Sequence, residues 1–352
     1  MTRNLNLMSY AERKSTMDGD FFEIPVVLFI FKRDKAVEII RRIKAVQPRK
    51  LYILADQGRN DEEILQANKC RKLVEQEITW NCEVVKKYAT HNIGVYENIG
   101  IGAKWVLERE RWAIFLEDDN LPELSFFYFC EELLKKYEND TRILWICGTN
   151  YLGRYQSKCN DSYVFTKHML PCGWASWSSK FPIFYDGELS LCSNSTVMGR
   201  ISMQYCNKAV YKQYRNKWTR EYERIQNGER PKSWDYQMDL SIKANSLYGI
   251  CPCNNLIKNI GVDKFSVHGG GSFDDEMTRR FCGMDSYPLE FPLIHPQTVL
   301  TDPYFEKKIG KIILLPLNLR IKIAISRMVK KVFRIPSDMG IKEYLRKKIH
   351  EN

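Results

Sequence analysis

The sequence predicts an α/β fold in which a mainly parallel sheet is covered by helices on both faces. Two observations carry that prediction. Strand-like and helix-like patterns alternate through the first 120 residues, and the strand-like runs are continuously apolar, as in strands buried on both faces, before stopping at acids.

The run IPVVLFIF (24–31) reads as the first buried strand, and DKAVEIIRRIKAVQP after it sets Val37, Ile40, Ile43 and Val46 at helical spacing. KLYILAD is a second strand ending in Asp56, DEEILQANKCRKLVEQ a helix, and CEVVKKY a short strand. THNIGVYENIGIGAKWVLERE is a glycine-bearing loop that runs into a helix. WAIFLEDDN is the fourth strand, with its apolar run Ala113 to Leu116 stopped by Glu117, Asp118 and Asp119. Ligands of such sheets bind outside the carboxyl ends of the strands, and Asp56 and the three acids fall there, on one edge. The second half is less regular. LSFFYFCEELLKKYEND is an amphipathic helix, RILWICGTN a strand, HMLPCGWASWSSKF a turn-rich aromatic segment, SWDYQMDLSIKAN a helix capped by Ser233, and LYGICPCNNLIKNIGV a strand leaving for a loop. With no internal repeat and no low-complexity linker, the expected division is a polar leader (1–23), a domain (24–304, halves 24–120 and 121–304) and a tail (305–352).

A chain of 352 residues, 44% hydrophobic and 12% aromatic, has the composition of a folded protein. Its first twenty residues lack the apolar core of a signal peptide, and no apolar run reaches the roughly 18 residues of a bilayer span, so a soluble or peripheral protein is expected. Eleven cysteines without a CxxC pair suggest reduced thiols in the cytoplasm; the closest spacing, Cys251-Pro252-Cys253, does not favour a zinc site. The net charge of +11 is concentrated in residues 306–352, which hold thirteen Lys/Arg against four Asp/Glu. A nucleic-acid enzyme more often carries basic surface on its folded domain, so nucleic acid is not an expected partner.

Three consecutive acids at a strand end repel one another unless something offsets them. A solvated turn with helix-capping acids is one reading. A hard cation such as Mg2+ or Mn2+, shared with a diphosphate, is the other, and it would stabilise charge on a leaving nucleotide.

Here the sequence resembles the glycosyltransferases of the GT-A fold, specifically a bacterial group related to family 2 and, more distantly, to N-acetylglucosaminyltransferase I. The matching pieces, in order, are PVVLFIFKRD, LYILADQGR, HNIGVYENI, FLEDDN, PCGWASW, SWDYQ and NLIKNIGVDKFSVH, covering Pro25 to His268. The resemblance makes 24–120 the nucleotide-binding half and 121–304 the acceptor half. It implies that Glu117, Asp118 and Asp119 replace the family's DxD motif, with Asp119 as metal ligand and Asp118 against the ribose. It puts Asp56 near the base or ribose, Arg33 beside the nucleotide, and Asn92 and Gly94 where backbone approaches it. Gly173 and Trp174 would wall the donor sugar, with a core aromatic as the alternative for Trp174. Asp235, in the first turn of its helix, would be the general base, with Asp239 in reserve, and His268 would complete the metal shell.

The reading implied is an inverting, Mn2+- or Mg2+-dependent enzyme that moves a sugar from a nucleotide-diphosphate donor, UDP-linked, to a lipid-linked or oligosaccharide acceptor in bacterial surface polysaccharide synthesis. Its rivals are a sugar nucleotidylyltransferase, which would show a glycine-rich loop where FKRDKAVE stands, a hydrolase of nucleotide sugars, and a non-catalytic membrane- or nucleic-acid-binding module. In the tail, Leu317, Ile321, Ile325, Met328 and Val332 fall on one helical face, with Arg320, Arg327, Lys330, Lys331 and Arg334 on the other. The pattern predicts peripheral contact with the inner face of the cell membrane; packing on the domain is the alternative.

Overall fold

The computed structural model describes residues 21–262 and 272–333, together with 335, 340, 341, 344 and 346. It separates into two compact units, Met1–Lys311 and Ile312–Asn352.

Strand β1 (Val26–Ile30) pairs in parallel with β2 (Lys50–Ala55) on one side and with β4 (Trp112–Glu117) on the other. The outer strand β3 (Glu83–Tyr88) runs parallel to β2. Joining them are α1 (Ala36–Val46), α2 (Asp61–Glu77) and a π-helical stretch, Tyr96–Ile101, that continues as α3 (Gly102–Leu107). After β4 come the short strand β5 (Asn120–Pro122), helix α4 (Leu124–Lys136), and strands β6 (Ile143–Cys147), β7 (Tyr163–Thr166) and β8 (Trp174–Trp177). Then follow α5 (Phe181–Phe184), α6 (Ser195–Met203), α7 (Lys208–Gln226), α8 (Asp235–Ala244), β9 (Tyr248–Pro252), β10 (Ile257–Asn259), α9 (Glu276–Phe281) and α10 (Pro303–Ile313).

Among the described residues the main sheet has the order β3-β2-β1-β4-β8-β6-β9-β7, with β8 and β7 running against the rest. This is the mainly parallel α/β class that the sequence predicts. The first three strands build outward from β1 on one side, and the chain then returns to β1's other side as β4. That reversal opens a crevice at the carboxyl ends of β1 and β4, where sheets of this kind take ligands.

Alternation in buried strands sends neighbouring side chains to opposite faces. Leu28, Ile30, Ile53, Ile114 and Leu116 join Ile39, Ile40 and Ile43 of α1 and Phe126 and Phe127 of α4 in one core. Each of these isoleucines contributes about 1.5–3 kcal/mol on burial, which explains why α1 keeps its apolar stripe despite a polar outer face. On the other face Phe29 stacks on Phe115, and α3 approaches so closely that a Cβ on Gly102 would lie 2.6 Å from Leu54 Cδ2.

The turn-rich reading of HMLPCGWASWSSKF needs correction: its centre is β8, an interior strand between β4 and β6. Helix α10 carries the first unit past the expected boundary at residue 304. Phe305 packs edge-on against Tyr155, and Glu306 accepts hydrogen bonds from the Thr166 hydroxyl and the Lys167 amide. In the second unit α11 (Leu317–Val332) is helical, as its pattern predicts. No helix among the described residues is long and apolar enough to cross a membrane.

Candidate active site at the carboxyl ends of β1 and β4

The loop after β1 and the end of β4 meet across the crevice. Asp118 leaves β4 toward β1, where its Oδ2 accepts the Phe31 N–H at 3.1 Å. Arg33 then reaches back, its Nη1 donating to Asp118 Oδ1 at 3.2 Å and to Asp119 Oδ2 at 2.6 Å. The other Asp119 oxygen accepts from Asn120 Nδ2 at 2.6 Å. One guanidinium thus offsets two of the three acids.

Glu117 is carried on the opposite side of β4, the Phe115 side. Burial, and then the nearby charges of Asp119, Asp118 and Asp235, hold its carboxyl well above the usual range, against an opposing pull from Arg33. Asp118 is pushed up to about 6 by burial first, with Arg33 working against the shift. The acids tolerate one another through Arg33 and a tendency to keep protons.

Asp56, at the end of β2, is buried and occupied. Its Oδ1 accepts from the Gln57 and Ile93 amides and its Oδ2 from the Gly94 amide and Asn92 Nδ2, all at 2.8–3.0 Å. It pins the 92–94 loop to the sheet edge. Gly94 has φ +82°, a region that glycine enters without strain, and the Asn92 carbonyl accepts from Arg230 Nη1 at 2.8 Å. Asp56, Asn92 and Gly94 are therefore brought together as expected, with the carboxylate committed to its own loop.

Gly173 and Trp174 lie deeper than a sugar-binding wall. Trp174 is 1% exposed, with ring centroids 4.0 Å from Phe115, 4.5 Å from Trp145 and 5.6 Å from Trp234. The core alternative describes this ring. Gly173 has φ +61°, and a Cβ there would meet Ile257 Cδ1 at 2.5 Å. Its amide donates to Asn120 Oδ1 at 2.8 Å, so Asn120 links Gly173 to Asp119.

Asp235 opens α8. Its Oδ1 accepts from Ser233 Oγ at 2.7 Å, and the same oxygen of Ser233 accepts the Tyr236 amide, as a capping serine does. Trp234, the residue before it, stacks on Trp174 and hands its carbonyl to the Tyr185 hydroxyl. The ring stack therefore spaces the helix that carries Asp235 from the strand that carries Glu117. Asp239, one turn on, is 2% exposed and lies inside the protein rather than in the crevice.

Sequence reasoning missed Asn120, Trp234 and Gly261. A Cβ on Gly261 would stand 2.2 Å from Asp119 Oδ2, so only glycine lets the backbone lie this close to the carboxylate. The backbone there is fixed by β10 pairing with β5, by the Ile260 amide donating to Asp119 O, and by Lys35 Nζ donating to Ile260 O. The signal was present in the NIG of the NLIKNIGVDKFSVH piece. His268 lies outside the described residues.

Among the described residues no three His, Cys, Asp or Glu side chains converge as a metal cage. The donor set at this edge is one partly buried carboxylate, Asp119, whose oxygens face Arg33 and Asn120. Mg2+-type sites use one or two carboxylates plus phosphate oxygens.

No protein-family profile and no curated protein matches the chain. Solved structures with partial likeness include a mannosyltransferase from Pyrobaculum calidifontis in complex with GDP-mannose and Mn2+ (10% identity, TM-score 0.34, 66% of this chain and 75% of that one). HddC from Yersinia pseudotuberculosis, complexed with GMP-PN, gives 9% identity, TM-score 0.29, and 47% and 81% coverage. A 4-diphosphocytidyl-2C-methyl-D-erythritol synthase from Anaerococcus prevotii gives 9%, 0.29, and 55% and 84%. Likenesses this weak decide neither activity nor ligand.

Proposed function

We propose that the protein is an inverting, divalent-metal-dependent glycosyltransferase that takes a sugar from a nucleotide-diphosphate donor, UDP-linked in this reading. The acceptor is a lipid-linked or oligosaccharide hydroxyl in bacterial surface polysaccharide assembly, met at the inner face of the cell membrane. One observation supports the reading: Arg33, after β1, meets Asp118 and Asp119, at the end of β4, across the crevice where the sheet reverses its order.

A divalent metal bound with the donor, Mn2+ or Mg2+, would supply charge stabilisation for the leaving diphosphate. Asp119 is the residue to hold it, and Arg33 supplies the second positive charge at that end of the crevice. Asp118, fixed by Phe31 N–H, keeps the edge of the site rigid for the ribose. Asp56 acts through the loop it pins, presenting the backbone of Asn92 to Gly94. Asp235, at its helix start, accepts the proton of the attacking hydroxyl. Protonated Glu117 on the same side can donate to the donor sugar while adding no negative charge beside Asp235.

The test is thermal stabilisation and donor hydrolysis across a panel of nucleotide sugars with Mn2+ or with chelator. A nucleoside diphosphate with Mn2+ should stabilise the wild type. Asp119→Ala should abolish that stabilisation and turnover while the protein still folds. Full turnover in excess chelator would sink the metal reading, and indifference to every nucleotide would sink the transferase.

A further inference from the structure

Half of the large apolar side chains exposed among the described residues lie in one short stretch: Leu317, Ile321, Ile323, Ile325, Met328, Val332 and Phe333. No residue of α11 is buried. At about 100° per residue, Leu317, Ile321, Ile325, Met328 and Val332 share an arc of about 80°, and each is between 50% and 69% exposed. Arg320, Arg327 and Lys331 fall together along one border of that arc, and the helix contains no Asp or Glu. Patches this concentrated on a folded protein mark a surface that meets a partner.

We infer that α11 is a docking helix for an anionic lipid surface, lying in the membrane interface with this apolar row among the acyl chains and its basic border at the headgroups. The inference deepens the membrane contact of the proposed function, but it stands on the helix alone. Charge selects the occupant. A second copy would set two acid-free basic helices against each other, whereas anionic headgroups supply the charge that α11 lacks. The side chains also suit the position, because long Lys and Arg stems extend from an apolar row toward headgroups. Sixteen residues make a helix about 24 Å long, too short and too charged to span, so it lies flat.

The experiment uses the full chain and sedimentation with vesicles of phosphatidylcholine, with or without phosphatidylglycerol. Wild type should bind the anionic vesicles at least about tenfold more tightly than the neutral ones, and salt should weaken that binding. Arg320→Gln, Arg327→Gln and Lys331→Gln together should cost up to about 100-fold. Ile321→Ser, Ile325→Ser and Met328→Ser together should remove binding while donor hydrolysis in solution is unchanged, these side chains being exposed and having no role in the proposed chemistry. Three outcomes would overturn the inference: equal binding to both vesicle types, a serine variant that binds as wild type does, or a concentration-dependent dimer lost in the serine variant with no vesicle binding. Donor hydrolysis is read separately, so either proposal can fail while the other stands.

Discussion

At the scale of single residues, Arg33 carries the most consequence per atom. It bridges Asp118 and Asp119 from a mostly buried position, so Arg33→Met leaves two buried carboxylates facing each other beside Glu117. Breaking a pair of this kind costs about 3 kcal/mol at pH 7, because the remaining charges stay uncompensated. The cost should shrink toward pH 5, where the acids take up protons; urea unfolding at the two pH values measures it, and an equal loss at both would show that the guanidinium serves packing instead. Asp235 makes a second, independent prediction. Asp235→Asn should keep donor affinity and lower turnover by about two to four orders of magnitude, the range of a lost general base. Asp239→Asn should leave turnover near wild type, since its side chain lies inside the protein; if the large loss follows Asp239 instead, the base sits one helical turn further on. Part of the arrangement was legible: sequence puts Asp56 and the acids at strand ends, and Arg33 meets Asp118 and Asp119 there. Asp56 shows the limit, because sequence places an acid at a strand end but does not say that the Gln57 amide and three donors of the 92–94 loop already occupy it.

Among the elements, β8 decides how the two halves of the site are spaced. Trp174 touches the strand that ends in the acids through Phe115 and the helix that starts at Asp235 through Trp234. Trp174→Ala should therefore cost about 3–5 kcal/mol of stability by cavity formation and lower turnover through a displaced α8. Trp174→Phe should recover most of both, read by thermal unfolding and donor hydrolysis. Retained stability with lost donor affinity would mean that the ring meets the sugar after all. The element was hard to read because four residues rich in tryptophan and flanked by Pro, Gly and Ser carry turn signals louder than their strand signal. Helix α7 escaped for the opposite reason. Its buried face, Val210, Tyr211, Tyr214, Trp218 and Glu221, has helical spacing, but tyrosines and an acid do not register as an apolar stripe. Strands β1, β2 and β4 were plain because both their faces are buried and their composition says so.

For the whole molecule, the charges buried beneath α8 set how stability responds to pH. Burial pushes the Asp239 carboxyl up to about 6, although Lys243, Lys217 and the Met169 amide pull it down, and burial lowers His168 below its ordinary value. The two act in opposite directions. A raised carboxyl means that the folded state holds its proton more tightly than the unfolded chain, so the stability Asp239 contributes is present near pH 4 and is lost as pH rises through about 6. A lowered imidazole means that the stability contributed by His168 is present above its unfolded value and is lost as pH falls. Comparing Asp239→Asn with wild type cancels the histidine, which both proteins keep. The amide resembles the protonated acid in shape and charge, so the two proteins should be nearly equally stable at pH 4. From pH 4 to pH 7 the variant should gain on the wild type by on the order of 2 kcal/mol, as the wild type alone ionises a carboxylate in a buried place. Urea unfolding at half-unit steps gives the difference curve, with its midpoint between about 4 and 6. A curve that runs the other way would show that the two lysines stabilise the carboxylate more than burial penalises it.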